Sequence, residues 1–212
     1  MPEQHSHYFD PDPSAPQRER TLNVSLAGRE VSVRSASGVF SGDRLDLGTS
    51  VLLREVPDPP ASGTLLDLGC GWGPIALSMA LLSDDAEVIA VDVNRRSREL
   101  TTLNAEAIVP GRVKVAAPEE VAAAVTFDAI WSNPPIRIGK PALHELLMTW
   151  LPRLAPDGDA YLVVGRNLGA DSLQTWLTGA LGTPFTVTRH ASAKGFRVLH
   201  VHRHEVPPSD PA

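Results

Sequence analysis

The chain has 212 residues, enough for one domain or for one domain with a small appendage. Its 42% hydrophobic and 21% charged residues are those of a folded globular protein and exclude disorder throughout. Nineteen Lys and Arg against 25 Asp and Glu leave a net charge of −6, which argues against tight nucleic-acid binding over the whole surface but permits a local basic face.

The single cysteine, Cys70, excludes an intramolecular disulfide and a cysteine-based zinc site, and fits a reducing compartment. No apolar run reaches the roughly 18 residues of a membrane helix. Met1 to Arg20 is polar and proline-rich, without the apolar core of a secretory signal. A cytoplasmic protein without membrane contact is the expectation.

In chain order, residues 1–19 read as a loose, proline-interrupted tail. Residues 20–57 read as an N-terminal extension: alternation from Thr21 to Val33 around Ala27-Gly28-Arg29 predicts a short hairpin, and a helix follows with Asp46 or Thr49 as its start signal. Over 58–204 the pattern changes. Short apolar strands at Thr64–Leu68, Glu87–Val93, Arg112–Ala116, Phe127–Trp131 and Ala160–Val164 alternate with helical stretches at Pro74–Leu82, Arg95–Ala107, Glu119–Val125 and Pro141–Leu154. Such alternation predicts βαβ units, hence a doubly wound α/β sheet that is mostly parallel and covered on both faces. Phe185–Arg189 and Phe196–His202 are separated by a turn too short for a crossover, so the sheet of seven strands must end in an antiparallel hairpin. Residues 205–212 form a second loose tail.

Asp67-Leu68-Gly69-Cys70-Gly71-Trp72-Gly73-Pro74 leaves a strand and opens a helix. Glycines there let the backbone turn sharply and approach a ligand where a Cβ would collide, and Pro74 suits a first helical position. The spacing is G-x-G-x-G rather than the dinucleotide G-x-G-x-x-G. Asp67 would stand at the strand end, placed to face an ammonium group. Asp92, one βαβ step on, is placed to accept the two hydroxyls of a ribose, and Asn94 is also a possible cap for the next helix. Cys70, with no His or Lys nearby in sequence to activate it, reads as a small packed residue.

These features resemble the S-adenosylmethionine loop of class I methyltransferases, over about Gly38 to Arg203. The resemblance implies a Rossmann-like methyltransferase sheet and S-adenosyl-L-methionine as cofactor. The binding set it implies is Asp67, Gly69, Cys70, Gly71, Gly73 and Asp92, with Val93 and Asn94 bordering the adenine and Ala117 beside it. Where that family often has an acid or amide after the third strand, this chain has Ala116, Ala117 and Pro118, with Glu119 one step late.

The second signal is Ser132-Asn133-Pro134-Pro135-Ile136, which leaves the fourth predicted strand at the sheet edge where doubly wound folds bind ligands. An exocyclic amine is a poor nucleophile because its lone pair is delocalised. N–H bonds to the Asn133 side-chain oxygen and the Pro134 carbonyl would favour a pyramidal nitrogen aimed at a methyl donor. Catalysis then consists of positioning and charge stabilisation, and needs no prior base. The tetrapeptide resembles the Asn-Pro-Pro-aromatic motif of methyltransferases acting on amino nitrogens of adenine, guanine or glutamine, with Ile136 in place of the aromatic. Asn133, Pro134, Pro135 and Ile136 are therefore the expected catalytic segment, with Asn133 also touching the donor.

Gly38-Val39-Phe40-Ser41 and Asp46-Leu47-Gly48-Thr49 resemble the small-domain methyltransferases, above all the ribosomal small-subunit RNA guanine-N2 enzymes. Phe40 and Thr49 would close over the donor, and Phe40 with Ile136 would flank the base. Lys194-Gly195-Phe196-Arg197-Val198 matches that branch too. Its enzymes usually carry a further domain ahead of this one, so substrate docking is expected to use the catalytic domain itself. The implied substrate is guanine N2 of ribosomal RNA; a protein glutamine or a small-molecule amine is the alternative. Ser172 to His204 lacks any acid and carries Arg189, Lys194, Arg197 and Arg203, a candidate phosphate-tracking face for RNA. His200, His202 and His204 share one strand face, but zinc normally recruits ligands from separate elements, so no metal is expected.

Overall fold

A computed structural model describes residues 19–36 and 43–206. The chain opens with a hairpin, β1 (Glu19–Leu26) and β2 (Arg29–Ala36), turned by Ala27 and Gly28 at positive φ. Helix α1 (Leu47–Glu55) follows, capped by the Asp46 side chain, which accepts the Thr49 N–H at 3.0 Å. Then come β3 (Ser62–Leu68), α2 (Pro74–Leu82), β4 (Asp85–Val91), α3 (Arg95–Ile108), β5 (Val113–Ala116), β6 (Phe127–Ser132), α4 (Lys140–Trp150), β7 (Leu154–Gly165), α5 (Ala170–Leu181), β8 (Phe185–Ala193) and β9 (Phe196–Arg203).

The large sheet has the order β5-β4-β3-β6-β7-β9-β8, parallel except that β9 runs antiparallel to both neighbours. Its strands are apolar on both faces because both faces are covered. Leu65, Val88, Ala90, Ala129, Trp131 and Val163 alternate onto the face under α1, α2, α3 and the hairpin. Leu66, Leu68, Ile89, Ile130, Leu162 and Leu199 meet α4 and α5 on the other. Asn104 of α3 docks the hairpin: its side chain takes the Arg34 N–H at 2.7 Å and donates to the Arg34 and Trp72 carbonyls.

The expected helix at 119–125 is a single 3-10 turn, Pro118–Glu120. Seven residues with only Val121 and Val125 packed inward are too few to offset helix nucleation. The final hairpin turns on Lys194 and Gly195 alone, both at positive φ. The helix expected to run to Leu154 ends at Trp150 and continues as a 3-10 turn with Pro152. Strand β1 begins at Glu19; the rest of the expected N-terminal tail, Phe40 with its Gly38–Ser41 segment, and residues 207–212 lie outside the described residues.

Candidate active site

Strand order reverses between β3 and β6: β4 and β5 lie on one side of β3, whereas β7 lies beyond β6. A crevice forms at the carboxyl edge of such a switch point, and ligands of open α/β sheets bind there. The Gly69–Gly73 loop leaves β3 and Asn133 leaves β6 on adjacent strands, with Leu68 opposite Ser132 and the Ser132 hydroxyl donating to the Leu68 carbonyl at 2.6 Å.

The three glycines divide their labour. All have positive φ (+84°, +60° and +95°), the left-handed region that disfavours any side chain. A Cβ at Gly69 or Gly71 would meet nothing within 4 Å, whereas one at Gly73 would lie 3.0 Å from Thr101 Cγ2. The first two leave space for a ligand against bare backbone; the third lets α3 pack on the loop. Cys70 is buried within it, and burial with the charges of Asp92 and Asp67 pushes its thiol well up, which disfavours the thiolate.

Asp67 and Asp92 end neighbouring strands but differ in placement. Asp67 is fully buried, and its Oδ2 accepts the Ala76 N–H at 2.9 Å, so it serves the first turn of α2, whose own cap, Gly73, has no side chain. Burial, together with the nearby Asp92, pushes its carboxyl up to about 8 against the Ala76 hydrogen bond. The cavities beside the loop are not lined by Asp67, and its other oxygen, Oδ1, is buried without a hydrogen-bond partner among the described residues. Asp92 lines a cavity of about 320 Å³ with Leu68, Gly69, Val93, Pro118, Asn133 and Pro135. Its oxygens accept the Gly71 N–H at 3.0 Å and the Asn94 N–H at 2.8 Å, leaving lone pairs for further donors. Burial raises its pKa, and those hydrogen bonds oppose the rise. Asn94 is buried and caps α3 through the Ser97 N–H, so Val93 and Pro118, rather than Asn94 and Ala117, border this cavity. Ala117 is buried and gives its N–H to Glu120.

Asn133 is where the cavities meet. It lines the one just described, a second of about 400 Å³ with Asp46, Pro134, Ile136, Arg137, Leu168 and Phe196, and a small recess under Thr49, Gly69, Cys70 and Gly71. Its Nδ2 lies 2.8 Å from Asp46 Oδ2 and 3.1 Å from Thr49 Oγ1. A carboxylate only accepts, so the amide nitrogen must face Asp46 and the amide oxygen must point the other way. Gly48 allows this approach: a Cβ there would lie 2.9 Å from both Asp46 Oδ2 and the Phe196 ring. The Pro134 carbonyl accepts the Ile136 N–H at 2.8 Å across Pro135, which spends one of its two lone pairs.

Asp46 and Phe196 are site residues beyond the expected set. In the sequence Asp46 is a helix start within the Asp46-Leu47-Gly48-Thr49 turn, with no contact to Asn133 implied. Phe196 sat in a motif with no role attached, yet it supplies the second cavity with the aromatic face that Ile136 does not. On the last hairpin Arg189 and Arg197 share one carboxylate, Asp171, at 2.7 and 3.5 Å, and Arg203 lies over the Phe185 ring, so one acid stands against the four basic residues of this stretch. Asp171 stands one residue before the acid-free stretch.

Such a sheet, with a glycine loop and an acid at its switch point, defines a Rossmann-like methyltransferase. The family model for the methyltransferase small domain matches residues 30–200, and the chain belongs to that family. It is 35% identical over 169 residues, 78% of this chain and 84% of the other, to the uncharacterised protein YbxB of Bacillus subtilis (strain 168). Ribosomal RNA small subunit methyltransferase C of Stutzerimonas stutzeri (strain A1501) is 33% identical over 205 residues, covering 90% of this chain and 58% of that protein. The 16S rRNA N2 methyltransferase of T. thermophilus, solved with AdoMet and guanosine, shares the fold with a TM-score of 0.72 at 24% identity, over 89% of this chain and 52% of that one. The chain thus spans about half the length of these rRNA methyltransferases. Among the described residues no helix is long and apolar enough to cross a membrane.

Proposed function

We propose that this protein uses S-adenosylmethionine to methylate an exocyclic amine, guanine N2 of ribosomal RNA, in the cytoplasm. The observation that carries the reading is the locked amide of Asn133, whose oxygen is left as an acceptor where the cavities meet. The loop fits the cofactor: space for it lies beside Gly69 and Gly71, which a Cβ would begin to fill, and Asp92 keeps lone pairs for ribose hydroxyls. When bound, S-adenosylmethionine supplies a methyl group already activated on a sulfonium. The chain's own contribution is placement. Asn133 Oδ1 and the remaining lone pair of Pro134 O accept the two N–H groups of the amine, while Ile136 and Phe196 flank its ring system. Stacking of a base on an aromatic is worth about 1–3 kcal/mol, and the target nucleotide must leave its own stack to reach the cavity. The names of the relatives support rRNA as the substrate class.

Ile136, which stands where the amino-methyltransferase motif has an aromatic, favours a second reading, a protein glutamine or small-molecule amine as acceptor. Transfer of tritiated methyl groups to purified 30S subunits, to ribosomal proteins and to a metabolite pool separates the two. Label in 16S rRNA that digests to N2-methylguanosine supports the first. Label only in protein or metabolites overturns it.

A further inference from the structure

Away from the crevice, three potential ligands converge on the antiparallel edge of the sheet. His200 and His202 share one face of β9, and β7 places Asp159 opposite His202. His200 Nε2 lies 2.6 Å and His202 Nδ1 2.9 Å from the same oxygen, Asp159 Oδ1. All three ligand atoms fall within 4.8 Å of one another. Tyr161 stacks on the His200 ring with centroids 4.8 Å apart, and His204 abuts the His202 ring edge-on at 4.6 Å, so neighbours on either side orient both imidazoles. The side chains are 25% (both histidines) and 38% (Asp159) exposed, so an ion reaches them without opening the core.

We propose that Asp159, His200 and His202 form a divalent transition-metal site of the zinc class. Two imidazoles and a carboxylate are the donors that suit Zn2+ and its first-row neighbours, whereas Mg2+ and Ca2+ prefer oxygen alone. A histidine row on one strand cannot close around an ion. Here the carboxylate comes from a different strand and completes the set. Zinc bonds of about 2.0–2.2 Å at tetrahedral angles hold ligand atoms about 3.5 Å apart, so the two Asp159 contacts need open by less than about 1 Å and the two histidine nitrogens, within 4.8 Å, close by at most about 1.3 Å, both within reach of side-chain rotation. Three protein ligands leave a fourth position for water. Asp159 precedes Gly165, at the second cavity, by six residues, or about 20 Å of strand, so the site clips β7 to β9 and stands apart from the crevice.

The test uses the full chain after chelator treatment, titrated with Zn2+ by calorimetry and with Co2+ by visible absorption. One equivalent binding in the micromolar range or tighter, with the intense Co2+ band of a tetrahedral site, is expected. Asp159→Asn and His200→Gln, checked for folding by circular dichroism, should each weaken Zn2+ by at least about tenfold, and His190→Gln and His204→Gln should not. A wild-type chain without a one-to-one isotherm overturns the site, as does wild-type affinity in folded Asp159→Asn. If His204→Gln costs as much as Asp159→Asn, the three-residue set is wrong. Should the ligand variants fail to fold, the wild-type Co2+ spectrum decides, since the weak band of an octahedral ion contradicts the site.

Discussion

The two walls of the crevice are built on opposite principles. The wall of β3, β4 and the glycine loop is local: Gly69, Gly71 and Asp92 lie within 24 residues, on strands that pair directly. The wall around Asn133 is assembled from far along the chain, with Asp46 87 residues before it and Phe196 63 residues after. A local wall depends on backbone conformation, and a single side chain there changes binding. A long-range wall depends on orientation, so a partner that merely holds another side chain still matters to turnover.

The proposed roles can be separated by substitution. Asn133→Ala should lower kcat by about a hundredfold or more, the cost of a misplaced reacting group, while S-adenosylhomocysteine affinity by calorimetry stays within about threefold, the spread of a lost contact worth well under 1 kcal/mol. Equal losses in both would merge the two walls into one. Asp92→Ala should act the other way. Loss of hydrogen bonds to a charged group, about 1.5–3 kcal/mol, corresponds to roughly 10- to 100-fold weaker donor binding. Asp46→Asn tests the lock itself: Asn caps a helix as well as Asp, but it offers Asn133 an amide able to turn either way. A kcat loss of about tenfold, or about 1.4 kcal/mol, with an unchanged melting temperature is expected; unchanged kcat would show that the carboxylate does not set the amide.

Smaller effects fall on stability. Gly73→Ala should destabilise by about 1–3 kcal/mol from its left-handed backbone, with Thr101 also in the way, seen as a lower denaturant midpoint. Asp67 differs from Asp92 in being closed off, and pH reveals it. Its folded pKa of about 8 stands above the ordinary 3.8, so the folded state keeps a proton that the unfolded chain gives up. That contribution to stability is full below about pH 4 and is lost as pH rises to about 8. Asp67→Asn, which keeps an acceptor for the Ala76 N–H, should flatten the decline in melting temperature over that window.

The local wall and the fold were largely legible. Strand–helix alternation, three glycines at alternate positions and an acid one unit later are short-range patterns, and the seven-stranded sheet with its antiparallel end follows from them. The position of Asn133 at a strand exit was legible as well, through the stiff proline pair after it. What escaped was pairing at a distance. Asp46 looked like a helix cap and is one, and nothing near it in sequence pointed to Asn133. The contacts of Arg189 and Arg197 with Asp171 are of the same kind, because they join β8 and β9 to α5. The register of Asp67 at a strand end likewise says nothing of its full burial.

From residue order alone came the covalent facts and the periodicities: which backbone positions tolerate left-handed turns, which runs are apolar on both faces, and which side chains can donate or accept. Which end of the Asn133 amide is engaged depends on the tertiary structure, which brings α1 against the exit of β6, because an amide has two ends and only a partner fixed in space, here Asp46, selects between them.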